Sequence, residues 1–288
     1  MNTASVDITK LPLMLTSLRL PTFARLWPDL TQQADREGWP AARLLAALSE
    51  LELAERVQRR IQRNLTEARL PSGKTLDSFD FSAVPMVSKA HVMALASGDV
   101  WLAKGANILM FGPPGSGKTH FCAALGAALI ENGFRVLFTR TTDLVQKLQS
   151  ARRDLALESA IDKLDKYDLI VLDDISYVDK DQAETSVLFE LIAARYEQRS
   201  IMITANRPFS AWDSLFPDKA MTIATIDRLV HHATIFEMNV ESFRRRTAIQ
   251  NRRPATSNTD TRDIAAIDEN NSTETSLSLR DIDQRHRS

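Results

Sequence analysis

The chain has 288 residues, 44% of them hydrophobic and 25% charged, and its 36 basic and 37 acidic side chains leave a formal net charge of −1. Such proportions belong to a soluble globular protein with room for one substantial α/β core and a smaller appendage. Apolar runs of only a few residues exclude a transmembrane helix, and the N-terminus lacks the basic-then-apolar layout of a signal peptide, so a cytoplasmic protein without membrane contact is expected.

Residues 1 to about 70 read as helices. Leu11 to Leu20 and Thr22 to Glu37 carry apolar residues at three- and four-residue spacing, broken at Pro21 and at the Gly38-Trp39-Pro40 turn. Pro40 suits the start of a long helix whose apolar stripe is Leu44, Leu48, Leu51, Ala54, Ile61 and Leu65. From Arg56 to Lys74 six basic residues, Arg56, Arg59, Arg60, Arg63, Arg69 and Lys74, stand against the single acid Glu67. Arg56, Arg59, Arg60 and Arg63 are therefore candidates for lying against a phosphate backbone, although a merely solvated face reads the same way. No helix-turn-helix signature is clear enough to name. Leu70-Pro71-Ser72-Gly73 ends the region, and Lys74 to Val84 reads as a linker with Phe79 and Phe81 tacking it onto the next domain.

From about Val87 helices and strands alternate. Strands are predicted at Ile108–Phe111, Val136–Thr139, Leu169–Leu172, Ile201–Thr204 and Thr234–Met238. The helices between them are Lys118–Glu131, Thr142–Gln149, Ala183–Glu197 and Ile223–Val230. That alternation implies a parallel sheet covered on both faces. The last stretch, residues 254–288, is rich in Thr, Ser, Asn and Asp, carries seven acids against four arginines, and is expected to be disordered.

Between the first strand and its helix lies Gly112-Pro113-Pro114-Gly115-Ser116-Gly117-Lys118-Thr119, which satisfies G-x-x-x-x-G-K-[ST] in its strand-to-helix context. Glycines there let successive backbone N–H groups converge on a phosphate at a helix N-terminus. Lys118 is expected to neutralise the β- and γ-phosphates and the Thr119 hydroxyl to sit on Mg²⁺. The third strand ends in Asp173-Asp174, 55 residues after Lys118, where Asp173 would order the Mg²⁺ shell and Asp174 polarise the attacking water. Asn206, at the end of the fourth strand, could hold that water or the γ-phosphate. Arg228 and the run Arg244, Arg245, Arg246 stand where phosphoryl chemistry recruits arginines. Cys122, the single cysteine, excludes an internal disulfide and is read as a small packing residue. His231 and His232, adjacent on a predicted helix, would point apart, make a poor metal pair, and are read as packing or surface residues.

In these motifs the chain resembles the AAA+ ATPases of the IstB and DnaC clade, and within it the IstB-like helper ATPases of insertion-sequence transposases. The matching stretches run from Leu18-Arg19-Leu20-Pro21 through Lys74-Thr75-Leu76, Phe79-Asp80-Phe81, Gly112 to His120, Asp143-Leu144-Val145, Tyr167 to Tyr177, Thr204 to Phe209 and Asp227-Arg228-Leu229 to Arg246. The resemblance implies an AAA+ P-loop NTPase with a five-stranded parallel sheet behind a small all-α N-terminal domain. The resemblance, joined to the breaks along the chain, goes with that domain at 1–70, a linker and the start of the core at 71–98 and the ATPase domain at 99–253; the acidic tail at 254–288 is a departure that the family pattern does not cover. It makes Gly112 to His120 the ATP-binding loop, Thr119 and Asp173 the Mg²⁺ residues, and Asn206 the sensor. Arg228 becomes a finger acting in trans, and Arg244 or Arg246 a second sensor. Duplex DNA, a transposase and further copies of the chain are the implied partners, with Lys147, Arg152 and Arg153 as additional candidates for gripping DNA. The family more often has Asp-Glu where this chain has Asp173-Asp174, so hydrolysis is expected to be slow. A helicase loader of the DnaC type, a small-molecule kinase on the same loop, and an ATP-gated switch that barely hydrolyses are the rival readings.

Overall fold

The structure is a computed structural model and describes residues 7–175, 182–207, 212, 218–240 and 242–243; the expected tail lies outside them. Its centre is a sheet of β1 (Asn107–Phe111), β2 (Val136–Arg140), β3 (Leu169–Asp173), β4 (Ser200–Ala205) and β5 (Ala233–Glu237). The order is β2-β3-β4-β1-β5 and every pairing is parallel, with Ile108 opposite Met202 on one side and Thr234 on the other. Side chains alternate between the two faces of a strand, and here both faces are covered, which is why these strands read as unbroken apolar runs. Ile108, Met110, Val136, Phe138, Leu169, Val171 and Met202 belong to one core; Leu109, Phe111, Leu137, Ile170, Leu172, Ile201 and Ile203 belong to the other.

The first face is covered by α4 (Lys89–Ser97) and α6 (Lys118–Glu131), together with the short α5 (Asp99–Ala103) and the end of the long α3 (Ala41–Ala68). The second is covered by α7 (Thr141–Arg153), α8 (Leu157–Asp162), α9 (Gln182–Arg195) and α10 (Lys219–Val230). An all-α start followed by a five-stranded parallel P-loop sheet is the architecture of an AAA+ ATPase, as the motifs implied.

The N-terminal helix α2 (Pro21–Glu37) packs against the first half of α3, and α1 (Leu11–Ser17) packs against α2. The leading N–H groups of a helix have no partner within it, and at α2 those of Thr22 and Phe23 are taken by Glu52 Oε2 of α3, at 2.9 and 3.3 Å. Glu52 is buried, which pushes its carboxyl up in pKa; hydrogen bonds from Arg56, these two N–H groups and Arg59 outweigh that and hold it below the usual carboxylate range. Arg56 Nε and Arg59 Nη2 reach Glu52 Oε1 at 2.9 and 3.1 Å. The predicted stripe on α3 is therefore only partly a core stripe: Leu48 is buried and Ile61 and Leu65 pack on the sheet, whereas Leu51 is exposed. The second half of α3 joins the ATPase core through Ala68, through Asn64 Nδ2 on the Phe134 carbonyl, and through the ion pair of Glu67 with Arg135.

At the edge of the sheet where the strands begin, Arg195 closes α9. It is wholly buried, and its Nη2 donates to the carbonyls of Tyr167 and Ser200 at 2.9 and 3.1 Å. Burial lowers its pKa to about 10, against the pull of Asp165, so the guanidinium stays charged at neutral pH.

Candidate nucleotide-binding site

The loop between β1 and α6 wraps so closely that side chains are excluded from two of its turns. A Cβ at Gly112 would stand 2.5 Å from the Met238 carbonyl oxygen, and one at Gly115, where φ is 84°, would stand 2.2 Å from Ser242 Oγ. The segment after β5 thus closes over the loop, tied by the Phe243 N–H donating to the Gly115 carbonyl at 3.0 Å and by Met238 N–H to Phe111 at 2.7 Å. Pro113 and Pro114 are exposed at the rim, and Gly117 immediately precedes α6. Lys118 is buried and folded back into the loop, its Nζ donating to the carbonyls of Gly112 and Pro113 at 2.7 and 3.0 Å, with Ser116 Oγ at 3.5 Å. This is a cradle of backbone and one buried ammonium, with no room for added side chains, and it fits a polyphosphate.

Beside it, polar side chains meet at the ends of β3 and β4. Thr119 Oγ1 lies 3.1 and 3.2 Å from the two Asp173 carboxylate oxygens, and Thr204 Oγ1 donates to Asp173 Oδ1 at 2.7 Å. The Thr204 hydroxyl in turn accepts the Asp174 N–H at 2.8 Å, and Asn206 Nδ2 donates to Asp174 Oδ2 at 2.7 Å. Asp174 adopts a left-handed backbone, φ 60°, a conformation costing a non-glycine residue on the order of 1–3 kcal/mol and tolerated best by Asp and Asn. That turn swings its carboxylate toward β4. A threonine hydroxyl against a carboxylate is a hard oxygen pair of the kind Mg²⁺ takes. Thr204 is the residue that sequence reasoning missed: it is a buried hydroxyl near the end of an apolar strand, and a lone polar residue there was the available signal.

A third wall comes from the linker. Phe79 sits edge-on to Phe81, His120 and Phe121 with ring centroids 4.9, 5.4 and 5.7 Å away. His120 Nε2 is 3.1 Å from Ser78 Oγ and 3.3 Å from the Thr75 carbonyl. Burial lowers the pKa of the His120 imidazole, while the Thr75 carbonyl pulls it the other way. Cys122 is buried on α6, its thiol pushed well up by burial, and acts as packing.

The sequence model of the family described as IstB-like ATP binding protein matches residues 13–251. The chain belongs to the IstB-like ATP-binding family. An insertion sequence ATP-binding protein of Sinorhizobium fredii is 72% identical over 249 residues, covering 86% of this chain and 84% of that one. The IS21 insertion sequence ATP-binding protein of Pseudomonas aeruginosa is 34% identical over 235 residues, covering 82% and 88%. Among solved structures, the DnaC helicase loader aligns with a TM-score of 0.51 at 19% identity over 59% of this chain and 98% of that one, a likeness of fold. ATP binding comes with membership of the IstB-like family.

The remaining arginines of this IstB-like chain fall elsewhere. Arg228 lies on α10, stacked over Phe189 at 5.3 Å, with its Nη1 on the Ala224 carbonyl at 3.0 Å. Its own carbonyl is 3.5 Å from Asn107 Nδ2 at the start of β1, whereas the phosphate loop leaves the far end of that strand. Arg244 and Arg246 lie outside the described residues. Of the basic residues on α3, Arg56, Arg59, Arg60 and Arg63 are all exposed, and Arg56 and Arg59 in addition hold Glu52. On α7, Arg152 pairs with Glu190 and Ser186, whereas Lys147 and Arg153 line an open cleft of about 450 Å³ with Asp143, Gln146 and Ser150. Among the described residues no helix is long and apolar enough to cross a membrane.

Proposed function

We propose that this chain is an ATPase whose copies share nucleotides across their contacts, assemble on duplex DNA, and bring a transposase to it. The observation that carries the reading is the place of Arg228. β1 separates it from its own phosphate loop, about 15 Å at the usual rise per strand residue. An arginine there serves a neighbour's ATP and not its own. Nucleotide then acts as a bond between subunits: its presence favours assembly and its hydrolysis favours release.

In this reading Lys118 leaves the Gly112 and Pro113 carbonyls for the phosphates, and the loop N–H groups hold the oxygens. Thr119 and Asp173 hold Mg²⁺, which supplies neutralising charge on the phosphates when bound. Asp174 orients the attacking water, with Asn206 fixing its carboxylate; a neighbour's Arg228 meets the charge that develops during transfer. Residues 1–70 form the part that meets DNA or partner, residues 71–98 the linker, and residues 99–253 the ATPase. The insertion-sequence names of the relatives favour transposition over helicase loading.

Arg60 and Arg63 on α3, and Lys147 and Arg153 on α7, are the candidates for the DNA backbone. Electron microscopy of the full chain with duplex DNA and a non-hydrolysable ATP analogue is expected to show rings or filaments on the DNA. The double variant Lys147→Glu/Arg153→Glu is expected to bind DNA more weakly while its basal ATPase is unchanged. Isolated monomers on the grid, or unaltered DNA affinity, would refute the corresponding part.

A further inference from the structure

Three ligand-type side chains that the ATPase reading leaves unused converge at the sheet edge opposite the phosphate loop. Helix α10 ends at Val230, so His231 and His232 sit in the turn beyond it and not on a helix, and their rings come within 4.0 Å centroid to centroid. This corrects the expectation that adjacent histidines point apart. Glu197 reaches them from the turn after α9. His231 Nδ1 is 3.5 Å and His232 Nε2 3.6 Å from its Oε1, and one ligand atom from each residue lies within 4.8 Å of the others.

We propose that Glu197, His231 and His232 form a binding site for a divalent transition metal of the Zn²⁺ type. Ligands held about 2.0–2.1 Å from a tetrahedral Zn²⁺ stand roughly 3.4 Å from one another. Two of the three edges here already match that spacing, and rotation of one exposed imidazole closes the third. Two histidines and a carboxylate are a known zinc donor set that leaves a fourth position for water. Exposed carboxylates commonly sit together without an ion; two imidazole nitrogens aimed at one carboxylate oxygen are a different arrangement.

The backbone supports this convergence. Glu197 has φ 56°, the left-handed region in which a glutamate is strained. Its turn packs against Gly105, where a Cβ would stand 2.8 Å from the Glu197 carbonyl carbon, so the conformation is held from outside. The side chains of the three residues are each about half exposed, at 48–49%, so an ion enters from solvent. Tyr196 OH, 2.7 Å from His231 Nδ1, caps that nitrogen and has to swing aside for the metal. Once bound, the ion would fasten the end of α9 to the end of α10, the helix that carries Arg228. The site rests on its own geometry and stands whether or not subunits share ATP.

The test is a titration of the tag-free full chain with Co²⁺, and with Zn²⁺ by calorimetry, in excess Mg²⁺ so that Thr119 and Asp173 are satisfied. One ion per chain is expected, with the strong visible absorption of four-coordinate Co²⁺ that Zn²⁺ displaces. His232→Ala and Glu197→Gln should each weaken binding at least about tenfold, since even outer partners of a metal site matter by roughly 10–100-fold. Zn²⁺ should raise the melting temperature of the parent chain and leave that of His232→Ala unchanged, with both melting alike in its absence. Absence of stoichiometric binding at micromolar metal, or equal affinity in the two variants and the parent, overturns the proposal.

Discussion

The two ends of the parallel sheet carry different kinds of side chain. Where the strands finish, small polar side chains are crowded and interlocked: Thr119, Asp173, Thr204, Asp174 and Asn206 form one hydrogen-bonded chain beside a glycine-shaped loop. Where the strands start, two arginines are placed in different ways. Arg195 is sealed inside and spends its charge on the carbonyls of Tyr167 and Ser200. Arg228 is only half-buried and is held by a ring face and one carbonyl of its own helix. Both arginines touch protein; what differs is whether the charge is already matched by fixed acceptors deep in the fold.

The contrast is broken most directly at Arg228. Arg228→Ala is expected to lower the assembly-stimulated ATPase rate by about 10³–10⁵-fold, as for other arginine fingers, while a single chain still binds nucleotide. Mixing it with Lys118→Ala, which cannot hold ATP, should restore part of the activity, because some contacts then pair an intact loop with an intact arginine. Steady-state phosphate release checks both; a rate within severalfold of the parent, or no recovery on mixing, removes the in-trans assignment. At Arg195 the expected outcome is loss of fold and not of chemistry: Arg195→Leu should cost about 3 kcal/mol of unfolding free energy in urea by leaving buried carbonyls and Asp165 without their partner. A variant as stable as the parent would show the two arginines to be less different than their surroundings suggest. The smallest effect is placed at the other edge. Asp174→Glu lengthens the carboxylate by a methylene at a left-handed position that Asp tolerates better than Glu, so the gain in stimulated turnover should be held to about threefold, less than 1 kcal/mol in barrier.

What could be read from the sequence was whatever depends on neighbours in the chain. Buried strands announce themselves as apolar runs, so all five appeared within a residue or two of their positions, and the helix after the phosphate loop was predicted at its observed bounds, Lys118–Glu131. Asp173 was legible because a strand end is a fixed point in a P-loop sheet. What stayed hidden depends on distant partners. That the exposed Arg56 and Arg59 also hold Glu52 was hidden because the burial of Glu52 is imposed by α2, about thirty residues away. Thr204 gained its role only when β4 was seen beside β3. α4 was missed because its mixed composition shows no strong stripe, and its start at Ser88, which accepts the His91 N–H, is a single capping hydrogen bond. The meeting of His231 and His232 with Glu197 needed both the end of α10 and a left-handed turn that no local pattern announces.

α3 runs unbroken for 28 residues from the N-terminal helices into the ATPase core. At 1.5 Å per residue it is a rod of about 42 Å, fixed at its base by Asn64, Glu67 and Ala68 beside β2 and carrying α2 on its other half. Such a rod converts angle into distance: a tilt of about 5° at the base sweeps the far end through roughly 4 Å. Rearrangements too small to disturb the packed sheet would thus arrive at the N-terminal helices magnified, and a load applied there would be felt with the same leverage at the β2 edge of the ATPase.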